Sequence, residues 1–235
     1  MFLTMEKKVR NKPEINQGLN DYMKKQLKNK IYIPLDEFLR ENPDARSFQR
    51  IFLPLSYACK PTSLSSPYRI CINASFPGTN GLSFNSQNYK GSSRNAKMYN
   101  IVLRQRQYKY HSANDLSQFY NSIKLCAADS MRCLILWRTG NGLNDENGKI
   151  VILVTQYLMF GLRMASFLAN IAKIYTSHKF IRPVCEKTHE HILMSCVDDV
   201  TVSARTEVDR NNMVNICTAG LRLGNFRWKG WIHNR

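Results

Sequence analysis

Near the start of the chain, Leu19, Met23 and Leu27 recur at a spacing of four within Ile15–Leu27. That period places them on one face of a helix. Pro34 and Pro43 interrupt the next stretch, and the apolar runs Ile51–Leu55 and Arg69–Ile72 then read as strands. Met98–Leu103 has the pattern of a helix, and Leu134–Trp137 and Ile150–Val154 read as strands joined by the turn-rich loop Thr139–Lys149. Phe167–Tyr175 predicts another helix. The segment His191–Ala204 reads as two short strands flanking Asp198-Asp199: Val200, Val202 and Ala204 alternate with Thr201 and Ser203, as in a half-buried strand. From Glu207 to Leu223 the spacing of Met213, Ile216, Cys217 and Leu221 predicts an amphipathic helix.

The apolar share is 43%, with few Gly and Pro, so the 235 residues suffice for a packed core in one or two domains. Charge changes the picture more. Lys and Arg number 34 against 17 acidic residues, a net +17, with a pI of about 9.7. Such an excess favours a polyanionic partner, nucleic acid before an anionic membrane, although a solvated basic face would give the same balance. Seven cysteines without a Cys-x-x-Cys pair argue for a reducing compartment. The spacing of Cys185, His189, His191 and Cys196 fits no usual zinc pattern. Met1–Lys8 lacks the apolar core of a secretory signal, and the longest apolar tract, Ile150–Leu162, is too short to span a bilayer. The expectation is an intracellular protein with no membrane partner, cytoplasm and nucleus being left open.

The candidate chemistry lies in the acidic residues. Asp198 and Asp199 sit side by side where a hairpin tip is expected, and neighbouring carboxylates call for a neutralising cation. Read alone, the pair fits a solvated turn better. Asp115 closes the segment Tyr108–Asp115 at an expected strand end, from which it can converge with the hairpin on a two-metal phosphoryl-transfer centre.

Five ordered blocks carry a resemblance. They are Pro67–Ser75 with Asn80–Asn85, Asp115–Tyr120, Phe160–Asn170, Cys196–Asp199 and Gly224–Asn234. From about residue 10 to its end the chain resembles the reverse transcriptases, and among them those of Bel/Pao-type long-terminal-repeat retrotransposons. The resemblance implies an α+β fold with the fingers and palm subdomains of a right-hand polymerase, an antiparallel palm sheet backed by helices and no thumb. Residues 1–95 would form an N-terminal extension and fingers, 96–121 the part of the palm with the first catalytic motif, 122–158 the second part of the fingers, and 159–235 the palm with the acidic hairpin and closing block.

By the same resemblance, Asp115, Asp198 and Asp199 are the catalytic carboxylates and the ligands of two Mg²⁺ ions, with Mn²⁺ a possible substitute. Hard carboxylate oxygens suit such ions. Lys229 matches a lysine able to protonate the pyrophosphate leaving group. Arg69, and less distinctly Lys60, match cations that grip a triphosphate. The amides of Leu116, Ser117, Gln118 and Phe119 would cradle phosphates, and Tyr120 would be the aromatic gate that selects deoxynucleotides. Phe160 and Gly161 belong to the nucleotide pocket, where a glycine permits close approach. Lys90, Arg94, Lys97, Arg104 and Arg106 could track a template backbone, or simply form a solvated face.

The implied activity is template-directed DNA synthesis from dNTPs on a nucleic-acid template with a primer. Thumb and RNase H functions could come from sequence beyond this chain, or the thumb from a partner chain. Three departures stand out: Cys196 where a tyrosine usually opens the acidic box, Ala165-Ser166 where the family carries Ser-Pro, and Asn73 in place of an Asp. They keep open a second reading, a retrotransposon remnant that binds nucleic acid without polymerising. A metal nuclease would also use clustered carboxylates but leaves the Arg69 and Tyr120 blocks unexplained.

Overall fold

The computed structural model describes residues 2–62, 67–92, 96–140, 143, 145 and 147–234. Arg94 and part of the Thr139–Lys149 loop lie outside them. The helices are α1 (Phe2–Val9), α2 (Pro13–Lys28), α3 (Leu35–Glu41), α4 (Met98–Arg106), α5 (Ala127–Met131), α6 (Ala165–Phe180), α7 (Glu186–Leu193) and α8 (Glu207–Arg222). The strands are β1 (Tyr32–Pro34), β2 (Leu55–Cys59), β3 (Tyr68–Ile72), β4 (Tyr110–Ser117), β5 (Leu134–Arg138), β6 (Ile150–Thr155), β7 (Asp199–Ala204), β8 (Arg227–Trp228) and β9 (Ile232–His233). They fall into two compact units, one of Met1–Tyr89 with Lys124–Arg163, the other of Lys90–Ile123 with Met164–Arg235. No helix among the described residues is long and apolar enough to cross a membrane.

In the first unit, an antiparallel sheet of order β1-β6-β5 packs Ile33, Leu134 and Val154 against Leu35 and Phe38 of α3, Ala45 and Met131. The expected Ile51–Leu55 strand begins only at Leu55. Before it, Ile51 and Leu53 exchange backbone hydrogen bonds with Leu134 instead, and Phe52 forms a parallel bridge to it. Pro54 lacks the amide needed to carry one ladder through both segments. Strands β2 and β3 form a two-stranded antiparallel ribbon covered by α2, whose Leu19 and Met23 are fully buried. Gly18 lets the helix approach, since a Cβ there would meet the Tyr68 ring at 2.1 Å.

In the second unit, β4 is the central strand. It pairs antiparallel with β7 along most of its length on one side, and with β9 and then β8 on the other. The register sets Asn114 opposite Val200 and Ser112 opposite Val202, on the face that α8 covers, while α7 and α4 meet the other face at Ser203, whose hydroxyl lies 3.4 Å from His191 Nε2 and donates to the Arg104 carbonyl at 3.1 Å. Met213, Cys217 and Leu221 of α8 are buried, as their spacing predicts.

A second element differs from expectation. Residues 186–193 form a helix, so the acidic hairpin has almost no first strand. The run Ile192-Leu193-Met194 is too short for periodicity to tell strand from helix. The burial of Thr188, His189, His191 and Ile192 follows a helical face, and Ser177 Oγ lies 2.9 Å from His189 Nδ1.

Candidate active site

The acidic turn is built on two residues. Cys196 and Asp199 exchange backbone hydrogen bonds of 3.1 and 2.8 Å, leaving Val197 and Asp198 at the tip. Val197 is left-handed, at φ 49°, a costly conformation for a β-branched residue. The strand register places Asp199 directly opposite Asp115, and the Leu116 amide donates to the Asp198 carbonyl at 2.9 Å. The three aspartates are therefore neighbours where β4 meets β7. Burial, then the charges of Asp115 and Asp199, raise the Asp198 carboxyl above its ordinary pKa, and a hydrogen bond to Asp115 favours its protonated form.

Like charges opposite each other on a sheet destabilise it, and the nearest cation offsets this. Lys229 Nζ donates to Asp115 Oδ2, while Asp115 Oδ1 is buried without a partner. The closing block holds Lys229 there. Its amide donates to the Asp115 carbonyl at 3.0 Å, and the Gly230 amide to Asn114 Oδ1 at 3.0 Å. Trp228 and Trp231 pack with ring centroids 4.9 Å apart, and both indole N–H groups donate to Thr218 of α8. Buried Phe226 stacks on Phe119, 5.7 Å between centroids.

After Asp115 the chain stays in β4 through Ser117, turns at Gln118 (φ 51°) and makes a short 3₁₀ helix over Phe119–Ser122. The expected phosphate cradle of four amides is corrected at Leu116, whose amide is taken by Asp198. The Leu116 and Phe119 side chains are core. Tyr120 is half-buried beside Phe119, with ring centroids 5.6 Å apart. Burial chiefly raises its phenol pKa, helped by the Asp198 charge, and Ser166 hydrogen-bonds it.

Sequence reasoning missed Lys173. It lies on α6, 1% exposed, its ammonium donating to Ser195 Oγ at 2.7 Å and to the Val197 carbonyl. Burial lowers its pKa to about 8, against the opposing pull of Asp198, Cys196 and Asp199. The sequence does carry a signal: Ala165, Ala169 and Lys173 share the buried helical face at spacing four, which puts a cation where an apolar residue is expected.

The first unit holds the remaining candidates. The ladder pairs Ala58 with Arg69 and bonds the Lys60 amide to the Pro67 carbonyl, so the pleat sets Lys60 and Arg69 on one face of the ribbon's end, both exposed. Gly161, at φ 100°, has the Ile72 carbonyl oxygen 1.9 Å from where a Cβ would stand. The close approach it permits is thus to β3. Asn85 fixes the Phe160–Arg163 loop, donating to the Gly161 carbonyl and accepting from the Arg163 amide, both at 2.8 Å. In the second unit, Arg104 pairs with Glu190 at 2.8 Å.

Among the described residues no three His, Cys, Asp or Glu side chains already stand in metal-binding geometry. The donor set still suits a hard cation: clustered carboxylates, one with a buried acceptor oxygen lacking a partner and another with its acidity suppressed by its neighbours.

No protein-family model matches the chain, and no curated protein does. Solved structures do. A foamy viral protease-reverse transcriptase in complex with double-stranded DNA is 14% identical, with a TM-score of 0.62 over 92% of this chain and 31% of its own. The native prototype foamy virus protease-reverse transcriptase is 11% identical, also at 0.62, over 92% of this chain and 23% of its own. This chain therefore spans less than a third of either. Helices and antiparallel sheets arranged in this way make a reverse-transcriptase-like fold.

Proposed function

We propose that the chain is the fingers and palm portion of a reverse transcriptase of Bel/Pao type and that it extends a DNA primer on a nucleic-acid template. The observation that carries this reading is the adjacency of Asp115, Asp198 and Asp199 at the junction of two paired strands within a reverse-transcriptase-like fold. On this reading the second unit is the palm and the first the fingers. The net charge of +17 and a structural neighbour solved on double-stranded DNA support a nucleic-acid partner.

Asp115 and Asp198, with Asp199 assisting, would hold divalent magnesium. Such ions, when bound, lower the pKa of the primer hydroxyl and neutralise the triphosphate. Lys229 would have to release Asp115 for this and would then give its proton to departing pyrophosphate. Tyr120, fixed by Ser166, would close the space beside the sugar's 2′ position. Arg69 and Lys60 would hold phosphate oxygens, Phe160 and Gly161 would line the pocket, and the amides of Ser117, Gln118 and Phe119 would complete the phosphate contacts.

The test is incorporation of labelled dTTP on poly(rA)/oligo(dT), with Asp198→Asn as control. Mg²⁺-dependent signal is expected from the native chain and background from the variant. Equal signals end the polymerase reading. The Lys229–Asp115 contact favours one alternative, a chain that binds primer-template without extending it. A gel shift without extension in either Mg²⁺ or Mn²⁺ would establish that.

A further inference from the structure

A lysine that is 1% exposed needs a reason. Burying an ammonium is costly unless its donors are satisfied, and methionine would fill a similar volume without that cost. Lys173 Nζ directs its donors to the acidic turn: Ser195 Oγ at 2.7 Å and the Val197 carbonyl, with the Phe119 ring centroid 5.4 Å away. Ser195 in turn donates to the Ile192 carbonyl at 2.6 Å, linking the end of α7 to the turn. Val197, at φ 49°, is the residue whose conformation is least favourable locally. Strain of this kind persists only where the surroundings over-determine it. The bond to its carbonyl, delivered from a rigid helix, supplies that constraint.

We propose that Lys173 is the positioning residue of the acidic turn: it holds the Val197 peptide left-handed from below and thereby fixes where Asp198 points. The ammonium also places a positive charge near Asp198 and Asp199, without occupying their oxygens. This deepens the polymerase reading and rests on it for its consequence in catalysis. The clamp itself is a statement about the turn.

The experiment uses Lys173→Met, Val197→Gly and the double variant in the full chain. Two readouts need no activity. One is the NMR coupling and carbon-shift signature of positive φ at Val197, which should be present in the native chain and lost in K173M. The other is a double-mutant cycle on the melting temperature: glycine adopts positive φ without penalty, so the loss caused by K173M should be markedly smaller in the V197G background. A lysine that only fills space would give additive losses. The third readout is primer extension, where K173M should lower kcat by about tenfold with KM for dTTP little changed, since misplaced groups act chiefly on the chemical step. Should K173M fail to fold, Ser195→Ala removes one acceptor and should weaken the Val197 signature in the same direction. An unchanged signature, or additivity in the cycle, overturns the clamp. A native chain that extends no primer while the cycle shows coupling overturns the polymerase reading and leaves the clamp standing.

Discussion

Acid should loosen the second unit through His191. This side chain lies in the last turn of α7, its residue 3% exposed, between α4 and β7. A carbonyl can only accept, so Nδ1 carries the proton and donates to Lys187 O at 2.9 Å, while Nε2 faces Ser203 Oγ at 3.4 Å. Burial first, with nearby Arg104 and Lys187 adding to it, lowers the imidazole pKa from 6.5 to about 4. Above pH 6.5 the ring is neutral in folded and unfolded chains alike, and it contributes no pH dependence. Between pH 6.5 and about 4 the unfolded chain takes up a proton that the folded one refuses, so stability falls as pH falls. Each tenfold in proton affinity is worth about 1.4 kcal/mol, which makes the full loss about 3 kcal/mol, reached below pH 4. For a chain of this size each kcal/mol moves the melting temperature by about 2–4 °C, so a shift of about 10 °C is in reach. The assay is thermal melting at pH 7 and pH 4.5 of the native chain and His191→Gln. His189, whose pKa burial also lowers, and Asp198, whose pKa is raised, titrate in both proteins and cancel in the difference. A variant with the same acid slope as the native chain refutes the reasoning.

Gly161→Ala should cost more than about 2 kcal/mol in urea unfolding, because the new methyl meets the Ile72 carbonyl and the φ of 100° suits only glycine. An alanine variant of native stability would show that the loop relaxes freely. Lys229→Gln should destabilise by about 1 kcal/mol at pH 8 and by less in acid, since protonation of Asp198, whose pKa is raised, relieves the repulsion that the ammonium offsets. Equal losses at both pH values would rule out an electrostatic role. Asp198→Asn should abolish Mg²⁺-dependent primer extension, and Lys173→Met should lower its kcat about tenfold while erasing the positive-φ signature of Val197.

Much of this architecture is legible in the residues. Leu19 and Met23 announce a helical face, Met213, Cys217 and Leu221 another, and the alternation from Val200 to Ala204 marks a strand, although its polar side is covered as well at Ser203, which is 1% exposed. These patterns are local and long enough for their period to be counted. The misreadings are short: Ile192-Leu193-Met194 is one helical turn, and Pro54 splits an apolar run that looks continuous. Asp115 is expected at a strand end but lies two residues inside β4, which runs on to Ser117, and its pairing with Asp199 depends on register, which the two segments acquire only together. Lys173 and Asn85 act through partners distant in sequence, Val197 and Gly161 among them. A single chain gives no local sign of such contacts beyond a charge or an amide in an unexpected place.

The pairing of β4 with β7 has a further consequence. A slip of one residue would bring Val200 opposite Asp115 and turn Val200 and Val202 away from α8 to the face now held by Thr201 and Ser203. Whatever drives those valines inward also aligns the carboxylates, so assembly of the site is a by-product of burying the sheet. Damage to the interior of this unit and damage to its acidic cluster should consequently be hard to tell apart by loss of activity alone, even when the altered residue lies far from any aspartate.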